Sequence, residues 1–242
     1  ILHTTMANII VRQIPNSITC CNLISGCIAI NAAFQGNYTL SFIMIFIGAV
    51  FDFFDGMTAR LLKVSSPIGK ELDSLADVVT FGVAPSAMLF HFFQTITFPA
   101  FLAPLQEYIP YTAFLIAAFS ALRLAKFNLD TRQTSSFIGV PTPANTLFWA
   151  SLIVGYQEWL TSEHFNAIYL LVLMLLSCYL LIAEIPLFAL KFKNLSWKDN
   201  KVKYIFIVTC IPLIYFLGAG CFSAIIAWYI ILSVASNKCS CL

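Results

Sequence analysis

The chain has 242 residues, of which 60% are hydrophobic, 15% aromatic and only 10% charged, with 13 basic and 11 acidic side chains giving a formal net charge of +2. Together with a mean hydropathy of +0.88, this composition excludes a water-soluble globular domain and points to an integral membrane protein. Strand-like alternation is absent, which argues against a barrel.

A hydrocarbon layer roughly 30 Å thick takes about 20 apolar residues per helical span. Runs of that order recur at 18–34, 40–62, 72–93, 109–126, 146–159, 167–185, 204–217 and 221–234, broken by polar or Pro-containing segments. The expected fold is all-α: one integral membrane domain over 1–242, a polytopic bundle of about eight spans, six forming a core and two following. Only "GAG" (Gly218 to Gly220) separates the last two, so they could instead form a single re-entrant unit. No cleavable signal is expected before the first span, and Met6 is a candidate native start.

Lys and Arg in short loops stay on the cytoplasmic side. With eight spans and a cytoplasmic N-terminus, all 13 basic residues fall inside: Arg12; Arg60, Lys63 and Lys70; Arg123, Lys126 and Arg132; Lys191, Lys193, Lys198, Lys201 and Lys203; and Lys238. The opposite loops carry only Glu107, Glu158 and Glu163. Both termini are therefore expected in the cytoplasm, in the inner cell membrane. The lysine-rich loop around Trp197 is read as attracted to anionic lipid, with no nucleic-acid partner. The cysteines, mostly within spans, are read as packing residues, and His3, His91 and His164 lie away from any acidic cluster.

Against this background "FDFFDGMTARLLKVSSPIGKELDSLAD" stands out, because it keeps Asp52, Asp55, Asp73 and Asp77 at one end of a helical hairpin. At 3.6 residues per turn, Asp52, Asp55, Gly56 and Ala59 share one helix face, and Gly69, Asp73 and Asp77 share a face of the next. A carboxylate at membrane depth costs about 2.5 to 3.5 kcal/mol, and mutual repulsion adds to that, so a cation is required. Arg60 alone cannot balance four charges. Oxygen-only donors select hard divalent ions such as Mg²⁺ or Mn²⁺, and two such ions about 3.5 to 4 Å apart would form the clamp used for displacement at phosphorus. Gly56 and Ala59 leave room for a ligand against the helix. A solvated charge cluster, a structural Ca²⁺ site, and an ion or proton pathway remain as other readings. Against the last, the chain lacks the matching broken spans of a two-fold repeat.

The pattern D-x2-D-G-x2-A-R-x8-G-x3-D-x3-D, complete at Asp52, Asp55, Gly56, Ala59, Arg60, Gly69, Asp73 and Asp77, resembles the signature of the CDP-alcohol phosphotransferase family. Within it, "IPNSITCCNLISG", "DSLADVVTFGVAPS" and "RLAKFNLDTRQTSSFIGVPTPAN" resemble the branch of bacterial type that accepts L-serine and makes phosphatidylserine. The resemblance covers residues 15–145, the expected catalytic core. It implies transfer of the phosphatidyl group of CDP-diacylglycerol to a serine hydroxyl with release of CMP. It further implies a centre of two Mg²⁺ or Mn²⁺ ions held by the four aspartates, with Asp77 also acting as proton acceptor. By the same likeness Gly56, Ala59, Arg60, Ser66, Gly69 and Pro15, Asn16, Ser17 and Ile18 would contact the CDP-lipid, and a homodimer is implied. On residues 15–18 the other reading is a helix start with Pro15 in its first turn and Asn16 or Ser17 as cap. Arg123, Lys126, Asn128 and Arg132 are candidates for serine, or else topology determinants. Another acceptor, such as glycerol 3-phosphate or inositol phosphate, would keep the same donor and metals.

Overall fold

A computed structural model describes residues 2–64, 66–130, 137–188 and 196–240, with side chains placed for all of these except 2–12, 137, 198–199 and 237–240. The candidate serine ligand Arg132 lies outside the described residues. Helix α1 (Leu2–Phe34) is joined to α2 (Tyr38–Leu61) by a three-residue turn. Gly36, at φ +72°, ends α1 in the left-handed region. Its N–H bonds to the Ala33 carbonyl and that of Asn37 to the Ala32 carbonyl, so two otherwise orphaned carbonyls are satisfied. The Asn37 side chain then caps α2 by accepting from the Leu40 N–H at 3.0 Å. A turn this short forces the two helices to pack antiparallel.

Helix α3 (Pro67–Asp77) starts with Ser66 accepting from the Gly69 N–H at 2.9 Å and with Pro67 in the first turn, where the missing N–H costs nothing. It passes through a π-helical turn, Val78–Val83, into α4 (Ala84–Thr95), making one 29-residue apolar segment. Two 3₁₀ segments, Ala100–Leu105 and Ile109–Phe114, lead to α5 (Leu115–Leu129). Helices α6 (Thr142–Leu160) and α7 (Ile168–Ile182) follow. The flanks of that pair are clasped by a two-stranded antiparallel ladder of β1 (Phe137–Ile138) and β2 (Pro186–Leu187), the one sheet among the described residues. Helices α8 (Trp197–Leu217) and α9 (Cys221–Ser240) fold back on each other at Gly218, φ +51°. The Trp228 indole N–H donates to the Thr209 hydroxyl between them at 2.9 Å.

The eight apolar runs read from the sequence fall largely on helix, with 167–185 passing beyond the end of α7 at Ile182. Among the described residues, five stretches are long and apolar enough to cross a bilayer: Gln13–Phe34, Tyr38–Leu61, Pro67–Thr95, Ile109–Leu129 and Asn200–Ser236, the last holding both of the final two runs. The first helix begins well before residue 18 and runs through Pro15, so Pro15 is an interior residue and not a first-turn one. Asn16 and Ser17 are accordingly not caps: Asn16 donates to the Gln13 side chain at 3.3 Å and the Ser17 hydroxyl to the Gln13 carbonyl at 2.9 Å.

The centre of the bundle holds Phe81, Met88, Leu89, Phe92, Phe93, Ile116, Trp149 and Ile153, all fully buried. The indole of Trp149 donates to Ser177 at 3.0 Å, so this large side chain is buried with its polar atom satisfied. Tyr215 and Phe216 face outward at 81% and 77% exposure, the inverse of a soluble fold and what a lipid solvent requires. Small residues allow the closest helix approach. Gly26 of α1 and Gly48 of α2 both abut Thr80, and a Cβ at either position would overlap it. Three helices therefore lock together one turn below the aspartates.

Candidate active site

The four aspartates converge because α2 ends and α3 begins at the same end of the bundle, with α1 packed against both. One carboxylate oxygen each from Asp52, Asp55 and Asp73 lie within 4.8 Å of one another. Asp77 interacts electrostatically with Asp52, Asp73 and Asp55, which joins the fourth carboxyl to the group. Asp55 and Asp77 are 5% and 9% exposed. One Asp73 oxygen is buried without any hydrogen-bond partner. Stacked acidic oxygens, one of them orphaned, are unfavourable unless a cation supplies the missing charge. The donor set is all oxygen, so it fits a hard divalent ion.

Helix α1 holds these carboxyls in place. The Thr19 hydroxyl donates to Asp55 at 2.6 Å, and the Asn22 amide donates to Asp77 at 3.3 Å. Thr19 and Asn22 are one turn apart and buried. Asn22 is itself fixed from behind, since the Thr80 hydroxyl donates to its backbone carbonyl at 3.1 Å. None of these three was singled out by sequence reasoning. The available signal was two polar side chains at i, i+3 inside an otherwise apolar span, "SITCCN".

A cavity of about 260 Å³ opens beside the cluster. Of the expected CDP-lipid contacts, Pro15, Asn16, Gly56, Ala59, Ser66 and Gly69 line it, together with Thr19, Asp55 and Asp73. At Gly56 a Cβ would meet nothing within 4 Å, so the glycine faces open space. Lys70, not anticipated, also lines this cavity. Ser17 and Arg60 are exposed and Ile18 half-buried, and none of the three borders the cavity.

A second cavity, of about 380 Å³, lies at the end of α5 and includes Arg123 and Lys126. Arg123 is 6% exposed, interacts electrostatically with Asp77, and has its Nε buried without a partner. Asn128 is used otherwise: its amide donates to Ser74 at 2.7 Å and its carbonyl accepts from Lys70 at 3.2 Å, tying α5 to α3. The arrangement sets an acidic patch of oxygen donors beside one cavity, with a second cavity, lined by residues of both charge signs, at the end of α5.

The CDP-alcohol phosphatidyltransferase family model matches residues 12–183, a stretch that holds both cavities except Glu184. Three curated relatives, each named CDP-diacylglycerol–serine O-phosphatidyltransferase, are similar to the chain. That of Bacillus subtilis is 41% identical over 133 residues, 54% of this chain and 70% of the relative. That of Methanocaldococcus jannaschii is 33% identical over 163 residues, covering 67% and 69%, and that of Mycobacterium leprae is 32% identical over 187 residues, covering 72% and 57%.

Proposed function

Because the chain belongs to the CDP-alcohol phosphatidyltransferase family, we propose that it transfers the phosphatidyl group of CDP-diacylglycerol to the hydroxyl of L-serine, giving phosphatidylserine and CMP. The observation that carries this reading is the convergence of four carboxyls between the cleft of about 260 Å³ and the recess that contains Arg123. The serine-using relatives support the choice of acceptor.

Asp52, Asp55, Asp73 and Asp77 would hold two Mg²⁺ or Mn²⁺ ions. Bound there, the ions would supply charge neutralisation for the pyrophosphate oxygens and for departing CMP. The chain's own residues do the rest. Gly56 and Ala59 let the nucleotide approach α2 closely. Arg60, exposed outside the cavity, would have to swing in to reach its phosphates, Ser66 and Gly69 border it, and Pro15 and Asn16 close the far wall. Asp77, held by Asn22, accepts the proton of the serine hydroxyl as its oxygen attacks the phosphorus next to diacylglycerol. The bond from that phosphorus to the oxygen bridging it to CMP breaks, and CMP leaves. Arg123, with Lys126 nearby, pairs the serine carboxylate. Its guanidinium also keeps the Asp77 side chain within reach of the acceptor.

The positive-inside pattern supports a cytoplasmic active site in the inner membrane, and family likeness supports a homodimer. The test is CMP release by the purified chain in detergent with CDP-diacylglycerol and Mg²⁺ or Mn²⁺, with and without L-serine. Serine-dependent release with phosphatidylserine as product, lost in a folded Asp77→Asn variant, is expected. Release with glycerol 3-phosphate or inositol phosphate but not serine would overturn the acceptor. No release from folded protein with any acceptor would overturn the enzyme reading in favour of ion movement.

A further inference from the structure

Helix α6 packs against both α7 and α9, which make little contact with each other. The gap between them is a cavity of about 190 Å³, walled by Phe148 of α6, by Leu173, Leu176 and Leu180 of α7, and by Ile226 and Ile231 of α9. It shares no lining residue and no helix with the cleft beside the aspartates. Leu176 and Ile231 are 49% and 57% exposed, so the cavity opens sideways onto the face that meets lipid. Two polar side chains interrupt this apolar lining. Ser177 is spent, because its hydroxyl donates to the Met174 carbonyl at 2.9 Å and accepts from the Trp149 indole at 3.0 Å. Asn145 is 4% exposed, and its amide nitrogen is buried without a hydrogen-bond partner among the described residues. A bare donor in an apolar site is unfavourable unless a ligand brings an acceptor to it.

We infer that this cavity holds one acyl chain of a resident bilayer glycerophospholipid, a molecule distinct from the CDP-lipid donor, with an ester carbonyl of that lipid accepting from the Asn145 amide. The lining selects this occupant. A water needs roughly 2 to 4 polar partners and would find a single free side-chain donor. A purely apolar occupant would leave that donor bare. A fatty ester carries one acceptor at the head of a chain that is otherwise apolar. The order of the walls agrees. Thr146, beside Asn145, donates its hydroxyl to the Phe81 carbonyl at 2.6 Å, and Phe81 lies one turn past Asp77, so the amide sits near the level of the acidic cluster. From there the cavity follows α7 from Leu180 back to Leu173, two turns or about 10 Å. A bilayer lipid likewise keeps its esters at the edge of the hydrocarbon layer and its chains toward the middle. The size is sufficient, since an apolar cavity of about 150 Å³ already takes up a benzene-sized molecule. The α9 wall lies beyond residue 183, where the family-model match ends, which gives the hairpin of α8 and α9 a use outside the transfer reaction.

The experiment counts lipids on the delipidated full chain by native mass spectrometry from mild detergent, titrating with dioleoyl phosphatidylethanolamine and with its diether counterpart, which has the same chains and headgroup but no ester carbonyl. One diester lipid per chain should bind ahead of the weak, non-stoichiometric adducts, with a Kd about 2- to 10-fold below that of the diether, the span for one net hydrogen bond. Asn145→Leu should bring the two lipids to equal affinity, and Ala227→Phe, which fills the cavity from α9, should remove the stoichiometric site for both. Adding one equivalent of CDP-diacylglycerol with Mg²⁺ and no serine should leave the first lipid in place. No stoichiometric lipid, equal binding of diester and diether to the unaltered chain, or an ester preference that survives either substitution would overturn the inference, and one-for-one exchange with CDP-diacylglycerol would assign the cavity to the donor instead. The comparison of diester with diether needs no variant, so misfolding cannot shelter the inference, and CMP release is nowhere the readout, so the serine reading stands or falls separately.

Discussion

Asn22→Leu separates positioning from stability at Asp77, the proposed catalytic base. Asn22 is fully buried, and its amide donates to Asp77 at 3.3 Å. Its side-chain oxygen has no partner, so the native residue carries one useful hydrogen bond and one orphaned acceptor. Leucine has the same branching and removes both. Losing a hydrogen bond to a charged group costs about 1.5 to 3 kcal/mol. The 3.3 Å length places this one at the weak end, so about 1 to 2 kcal/mol of transition-state stabilisation is lost, or roughly 5- to 30-fold in kcat. Deleting the unsatisfied buried acceptor recovers its desolvation cost, about 1 to 3 kcal/mol, and so offsets the stability lost with the hydrogen bond to Asp77. Steady-state CMP release at saturating serine and CDP-diacylglycerol gives kcat, and thermal unfolding in the same detergent gives Tm. The expected pattern is lower kcat at unchanged or higher Tm. Unchanged kcat in folded protein, or a Tm that falls along with kcat, would refute the view that Asn22 orients Asp77.

Thr19→Val keeps the shape but removes the 2.6 Å hydrogen bond to Asp55. Residues that orient metal ligands typically affect affinity about 10- to 100-fold, so the Mg²⁺ or Mn²⁺ concentration for half-maximal activity should rise by that order in a metal titration. Gly48→Ala would put a Cβ 2.6 Å from the Thr80 methyl carbon. Overpacking of this kind costs about 1 to 3 kcal/mol; Tm should fall, and adding Thr80→Ser, which removes that methyl, should restore part of it. Chelation with EDTA should abolish CMP release, and Mg²⁺ or Mn²⁺ added in excess should restore it, whereas activity that survives exhaustive chelation would count against the acidic cluster as a metal centre.

Much of this architecture was legible in the sequence, for reasons of cost. Charges inside an apolar run are expensive, so Asp52, Asp55, Asp73 and Asp77 announced themselves, and spans are visible because lipid demands length and hydropathy together. The supporting donors were hidden because a buried Thr or Asn in a membrane helix is cheap when it bonds its own backbone, as the Thr19 hydroxyl also does to Pro15. Which neighbour it meets depends on the rotation of α1 against α2, and local pattern does not encode that. Pro15 left two readings open, a pocket residue or a helix start, and only the second is excluded, because α1 runs through it while Pro15 lines the cavity. The proposed acceptor site was sought in the single stretch from Arg123 onward. The recess there is lined by the end of α5 and by the end of α7, brought together by a two-residue ladder too short to leave a periodic signal.

The π-helical turn Val78–Val83 has a consequence for insertions and deletions. A π turn holds one residue more than the α-helical path it replaces, and each residue of an α-helix advances the phase by about 100°. Deleting any one residue between Asp77 and Ala84 would leave composition, hydropathy and the spacing of all four aspartates intact. It would also let the turn relax to an ordinary α-helix, the path the wide turn replaces, so α3 and α4 would keep their relative phase. Because α4 is anchored through its buried face, Asp73 and Asp77 would still face α2. A frame-preserving codon loss here should therefore be milder than losing an aspartate, whereas a further inserted residue, which the turn cannot absorb, would rotate α3 against α4 by about 100°.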